Sequence, residues 1–110
     1  MKLALLNSLV ITNAGCYKAK EISTMEAKCL IRSYARTNGL ESYIGHTSTA
    51  SFLSQLIGIP VEVNRQRFKQ RTHQPVICFK LYDRLPENKC LHVQDLKTSA
   101  YAFYLLQKIE

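Results

Sequence analysis

The chain reads as an α+β domain of about five strands and two main helices, and three observations lead there. Apolar runs stand near both ends, Leu3-Ala4-Leu5-Leu6 and Tyr101-Ala102-Phe103-Tyr104-Leu105-Leu106. Both are apolar at consecutive positions, which reads as a strand, and in the first of them as a strand covered on both faces. Two stretches, residues 23–39 and 44–58, carry apolar side chains at helical spacing between helix-starting and helix-ending residues. A length of 110 residues holds one core, so the expected organisation is a single domain over residues 1–110.

Taken in order, residues 2–11 are expected to form a first strand buried on both sides rather than at an edge. Asn7 interrupts that run; such a side chain is either hydrogen-bonded inside the protein, the commoner case, or turned to a ligand. Residues 12–21 read as a polar connector containing Gly15. Ser23-Thr24-Met25-Glu26 is a capping box that opens a helix through Leu30, Ile31 and Tyr34 toward Gly39. Its Lys28, Arg32 and Arg36, four residues apart, form a solvated stripe that could also lie against an anion. The second helix has Thr47 or Ser48 as N-cap, Gly58 as terminator, and Ala50, Phe52, Leu53, Leu56 and Ile57 as its apolar side.

Ile59-Pro60-Val61-Glu62-Val63 is apolar and β-branched, and Arg65, Arg67, Lys69 and Arg71 then fall at every second position. In a strand those four share a face, either a charged edge that resists aggregation or a face turned to phosphates. Thr72-His73-Gln74-Pro75 supplies a turn into a returning strand over residues 76–82, making a hairpin; His73 belongs to that turn and is assigned no chemistry. Residues 83–89 form a charged loop in which Pro86 prevents regular pairing. A short segment over residues 90–93, a turn of helix near 94–97 and a closing strand over 101–109 complete the chain.

Fifteen Lys and Arg against eight Asp and Glu give a net charge of +7, which favours a polyanionic partner without choosing among nucleic acid, nucleotide and anionic membrane. Six Tyr and four Phe, with no Trp, suit an aromatic-lined pocket or an interface between copies. Lys2 and the apolar residues after it imitate a secretory signal up to Cys16. Asn7 and Ser8 break the apolar run, however, and cleavage there would remove the first strand. No run reaches the ~20 apolar residues of a membrane span, so no membrane partner and a cytoplasmic location are expected, in the host cytoplasm if the chain is viral. Cys16, Cys29, Cys78 and Cys90 have no Cys-x-x-Cys pair. A metal site is thus poorly supported, and reduced thiols are expected, an even count leaving a disulfide open.

The chemistry gathers where the second helix starts. His46 stands at its entrance, ahead of Thr47, Ser48 and Thr49, and the unpaired amides of a first turn with three hydroxyls describe an anion cradle. There His46 could exchange a proton with a phosphate ester; the competing reading is that the hydroxyls only cap the helix and His46 is a surface residue. Arg84 and Glu87 would complete a set sufficient for metal-free phosphodiester cleavage: an acid, a cation for the phosphorane charge, and a carboxylate that orients the imidazole.

Leu5-Leu6-Asn7-Ser8, Ile44-Gly45-His46-Thr47-Ser48-Thr49-Ala50, Asn64-Arg65, Arg84-Leu85-Pro86-Glu87 and Phe103-Tyr104-Leu105-Leu106, in this order and spacing, resemble the viral anti-CRISPR ring nucleases. That family also occurs in phages, plasmids and bacteria. The resemblance implies a two-layer fold, a mixed sheet of about five strands packed against two main helices, and a homodimer whose two sites form one pocket for cyclic tetra-adenylate, the second messenger of type III CRISPR systems. It implies cleavage to linear di-adenylate with 2′,3′-cyclic phosphate ends, without metal or other cofactor. It assigns His46 as the acid, Arg84 to the phosphate and Glu87 to assisting His46, with Asn7, Ser48, Thr49, Arg65, Phe68 and Lys80 binding the ring, and the loop bearing Arg84 and Glu87 closing as a lid. The chain departs from the family pattern at Val10 and Thr12, where serine and asparagine are frequent, and at Lys80, where some members carry glutamine. The alternatives are a non-catalytic nucleic-acid-binding protein, with duplex as its partner, and a sponge that holds the ring uncut. A helix-turn-helix is disfavoured because Ile59-Pro60 and a β-branched run follow the second helix.

Overall fold

The computed structural model describes residues 1–82 and 100–110. Its elements are β1 (Leu3–Leu6), β2 (Tyr17–Ile22), α1 (Thr24–Arg36), β3 (Leu40–Tyr43), α2 (Thr47–Ile57), β4 (Pro75–Leu81) and β5 (Tyr101–Lys108). The strands form one mixed sheet in the order β2-β5-β4-β1-β3. β1 is parallel to both neighbours, with Leu6 opposite Tyr43 on one side and Cys78 on the other. β5 is antiparallel to β4 and β2. A strand between two parallel neighbours is covered on both faces, and all four residues of β1 are buried.

Alternation divides the sheet's side chains between two layers. Leu3 and Leu5 of β1, Ile77 and Phe79 of β4 and Phe103 of β5 meet Ala27 and Ile31 of α1 and Phe52, Leu53 and Ile57 of α2. Phe52 lies 5.8 Å from Phe79 and 5.5 Å from Tyr101, ring centre to ring centre, so truncating it to alanine costs about 3–5 kcal/mol. On the other face Ala4, Leu6, Val76, Cys78 and Leu106 are covered by Tyr17, Tyr43, Phe68 and Tyr104. Gln70 stitches that cover down, its Nε2 donating to the carbonyls of Gln74 at 3.1 Å and Leu106 at 2.9 Å. Burial pushes the Cys78 thiol up to about 11, against a smaller lowering by the Val10 backbone. Cys16 and Cys29 are exposed free thiols.

Several expectations need correction. The supposed connector over residues 12–21 contains β2, an edge strand whose Lys18, Ala19, Lys20 and Glu21 are exposed; edge strands tolerate such charge, which hides them among loops. The first strand stops at Leu6 instead of running to residue 11. Leu40–Tyr43 forms a strand that its polar character concealed. The hairpin over residues 59–82 does not form: β4 pairs with β1 and β5, and the preceding segment contributes an isolated parallel bridge between Ile44 and Val63. The alternation nevertheless holds, since Arg65, Arg67, Lys69 and Arg71 are exposed while Phe68 and Gln70 turn inward. The capping box at Ser23 and the left-handed Gly58 terminator are as expected. The segments over residues 83–97, with Pro86, lie outside the described residues.

Candidate functional site

Parallel strands β3 and β1 end side by side and β4 runs three residues farther in the same direction, and ligands of open sheets bind beyond such carboxyl ends. Asn7, half-buried, follows β1 directly. Ile44-Gly45-His46 follows β3 and delivers the chain into α2, and β4 hands over after Leu81 to the stretch that bears Arg84 and Glu87. Those two residues lie outside the described residues.

His46 is itself the N-cap of α2, correcting the assignment to Thr47 or Ser48. Its backbone is extended at φ −125° and ψ 131°, and its side chain makes no capping hydrogen bond to the first-turn amides. The first turn of α2 holds no acidic residue. The imidazole is exposed, whereas Ser48 and Thr49 are 8% and 4% exposed. The turn therefore presents a protonatable ring beside uncapped amides, an arrangement that can hold an anion and exchange a proton with it.

Backbone carbonyls of this turn are held from residues 62–65. Asn64 donates through its backbone N–H to Ile44 O at 2.9 Å and through Nδ2 to Ser42 O at 2.9 Å. Ser42 Oγ donates to Glu62 O, and Arg65 Nε donates to Gly45 O at 2.6 Å. Arg65 is thus an exposed guanidinium fixed one residue from His46. The sequence reading passed over Asn64 and Ser42 as site residues; bonds to main-chain carbonyls leave no pattern of residue types to read.

Phe68 and Lys80 occupy the face of the sheet away from the helices. Phe68 rests on Tyr43, ring centres 4.6 Å apart. Burial first, then Glu41, raises the Tyr43 hydroxyl. Lys80 Nζ lies 5.3 Å from the centre of the Tyr82 ring, and the hydroxyls of Tyr82 and Tyr104 stand 3.5 Å apart. That contact, with burial and Glu21 adding to it, pushes Tyr104 up to about 12. Thr12 is engaged internally, with Asn13 Oδ1 and the Gln70 amide, while Val10 is exposed. The structure thus brings Asn7, His46, Ser48, Thr49 and Arg65 to one end of the sheet, and sets Phe68 and Lys80 on the neighbouring face. His73 stands in the turn before β4 with φ +66°. Among the described residues no three His, Cys, Asp or Glu side chains converge as a metal site would require, and no helix is long and apolar enough to cross a membrane.

Residues 3–103 match the model of the STIV B116-like family. The chain is similar to protein YddF of Bacillus subtilis (strain 168), 46% identical over 110 residues and across the full length of both. It is also similar to protein ORF117 of Acidianus two-tailed virus, 30% identical over 112 residues, covering 98% of this chain and 94% of that one. Among solved structures it resembles B116 of Sulfolobus turreted icosahedral virus with a TM-score of 0.85 at 20% identity, covering 97% of this chain and 99% of that one. That likeness carries the fold.

Proposed function

This chain belongs to the STIV B116-like family, which has viral members, and from that premise we propose that it is a metal-independent ring nuclease. It binds cyclic tetra-adenylate between two copies of itself and cuts the ring to linear di-adenylate, switching off type III CRISPR signalling. The observation that supports this reading is that β3, β1 and β4 run parallel, so that Asn7, the Gly45–His46 turn and the exit of β4 lie toward the same end of the sheet.

In the reaction a ribose 2′-hydroxyl attacks the neighbouring phosphorus and releases its proton to solvent. The bond from phosphorus to the 5′-oxygen breaks, and His46 protonates that oxygen as it leaves. The uncapped first turn of α2 and Arg65 favour the anionic phosphate, and Arg84 stabilises the charge that builds on it. Glu87 assists His46. A two-fold ring suits a two-fold dimer, each protomer meeting an equivalent linkage. Supporting a second copy, Leu9, Val10 and Ile11 follow Asn7 as a run of exposed apolar side chains.

Incubating the protein with cyclic tetra-adenylate in excess chelator and resolving the products by mass tests the reading; the expected product is di-adenylate ending in a 2′,3′-cyclic phosphate. Intact ring recovered after denaturation identifies a sponge instead. The exposed row of Arg65, Arg67, Lys69 and Arg71 favours the second reading, a nucleic-acid-binding protein. Tight duplex binding that weakens steeply with salt, without ring cleavage, would establish it.

A further inference from the structure

The His46 side chain makes no capping bond at the head of α2, so among the described residues the backbone beneath it sets where the imidazole stands. β3 has four residues, pairs with β1 along one side, and runs into Gly45. Along its outer side the carbonyls of Ser42 and Ile44 would otherwise face water, free to shift as the turn flexes. Instead Asn64 brackets Ile44, its side-chain amide holding the carbonyl two residues before and its backbone N–H holding the carbonyl of Ile44 itself. Arg65 takes the next carbonyl, that of Gly45, and Ser42 returns a bond to Glu62.

Residues 62–65 therefore act as a splint laid along the turn. We propose that Asn64 is a positioning residue for His46: its side chain fixes the turn so that the imidazole meets the leaving oxygen without rearrangement. The inference rests on the ring-nuclease reading for its catalytic consequence, though not for its geometry. Loss of the Nδ2 donor leaves the ligand-facing groups in place and loosens one of them, and a misplacement near 1 Å can cost about a hundredfold in rate. The effect belongs in turnover and not in binding.

Asn64→Ala removes the donor, and Asn64→Asp sets a carboxylate against the Ser42 carbonyl; both keep the backbone bond to Ile44. We expect turnover per folded molecule to fall roughly ten- to a hundredfold in Asn64→Ala, and further in Asn64→Asp, with KM moving less than about twofold. Imidazole NMR gives a readout independent of cleavage: the His46 signal shifts or broadens in Asn64→Ala, while that of His73, in the turn before β4, stays as in the unsubstituted protein. Unchanged turnover with an unchanged His46 signal overturns the proposal, as does a rate loss equal to the folded fraction lost. Should the variants fail to fold, Ser42→Ala, which severs the link to Glu62, carries the same comparison. If the unsubstituted protein leaves the ring intact, the ring-nuclease reading fails and the His46 signal alone decides the splint.

Discussion

Helix α1 starts with the devices that satisfy a first turn, and α2 starts with none of them. Ser23 Oγ accepts from the Glu26 amide at 3.0 Å while Glu26 Oε1 accepts from the Ser23 amide at 3.2 Å, and Glu26 adds a negative charge where the helix dipole favours one. At α2 a histidine stands in the capping position without a capping bond and without an acidic neighbour in the first turn. The far end of α2 is well closed: Gly58 adopts φ +84°, its N–H reaches Ser54 O at 2.9 Å, and Arg32 Nε reaches Ile57 O at 2.8 Å. The deficiency is therefore confined to one end of one helix, the end that meets the strand termini. Capping the end against β2 serves stability; the open end of α2 is where the proposed phosphate contact would lie.

The sharpest way to break this comparison is at His46. His46→Ala is expected to lower ring cleavage at least about a hundredfold while circular dichroism and ring binding stay as in the unsubstituted protein; retained cleavage removes His46 as the acid. Because the acid acts protonated, the rate of the chemical step should decline as pH rises, and a flat profile speaks against the assignment. Gly58→Ala comes next, costing roughly 1–2 kcal/mol. A left-handed backbone is strained by any Cβ, and this one would stand 2.5 Å from Arg32 Nη2, the side chain that closes the helix.

Smaller and opposite effects are expected at the two starts. Ser23→Ala should lose about 1 kcal/mol of stability with turnover per folded molecule unchanged. His46→Asn supplies the missing cap and should add about 1 kcal/mol while abolishing cleavage, so denaturation and product analysis move in opposite directions. A His46→Asn protein no more stable than its parent means that α2 already has its first turn satisfied. Gly45→Ala is the mildest change. Gly45 is not at positive φ, and its Cβ would lie 3.5 Å from Arg65 Cγ, an ordinary contact, so stability should stay within about 0.5 kcal/mol.

Local signals in the chain carried the helices. A capping box, a terminating glycine and apolar side chains at helical spacing act within a few residues of one another, so α1 and α2 needed no partner to be recognised. Leu3–Leu6 was equally legible, because a strand buried on two faces is apolar throughout, and so was the apolar run from Tyr101 to Leu106. The position of His46 at the start of α2 was legible for the same reason, since that helix entrance is marked in the sequence.

Tertiary structure decided the pairing, and pairing depends on which edges remain free. β1 has two edges, taken by β3 and β4, and the other edge of β4 is taken by β5. Residues 59–71 have the alternation of a strand but are left with the outer side of β3, where Ile44 and Val63 form a single bridge. Leu40–Tyr43, assigned no element from sequence, is a strand because β1 offers it a ladder. The same placement lets Asn64 and Arg65 hold the His46 turn. Residue types settle which segments are buried or capped, since those preferences are local; which backbone amide meets which carbonyl across twenty residues is fixed only when the sheet has closed.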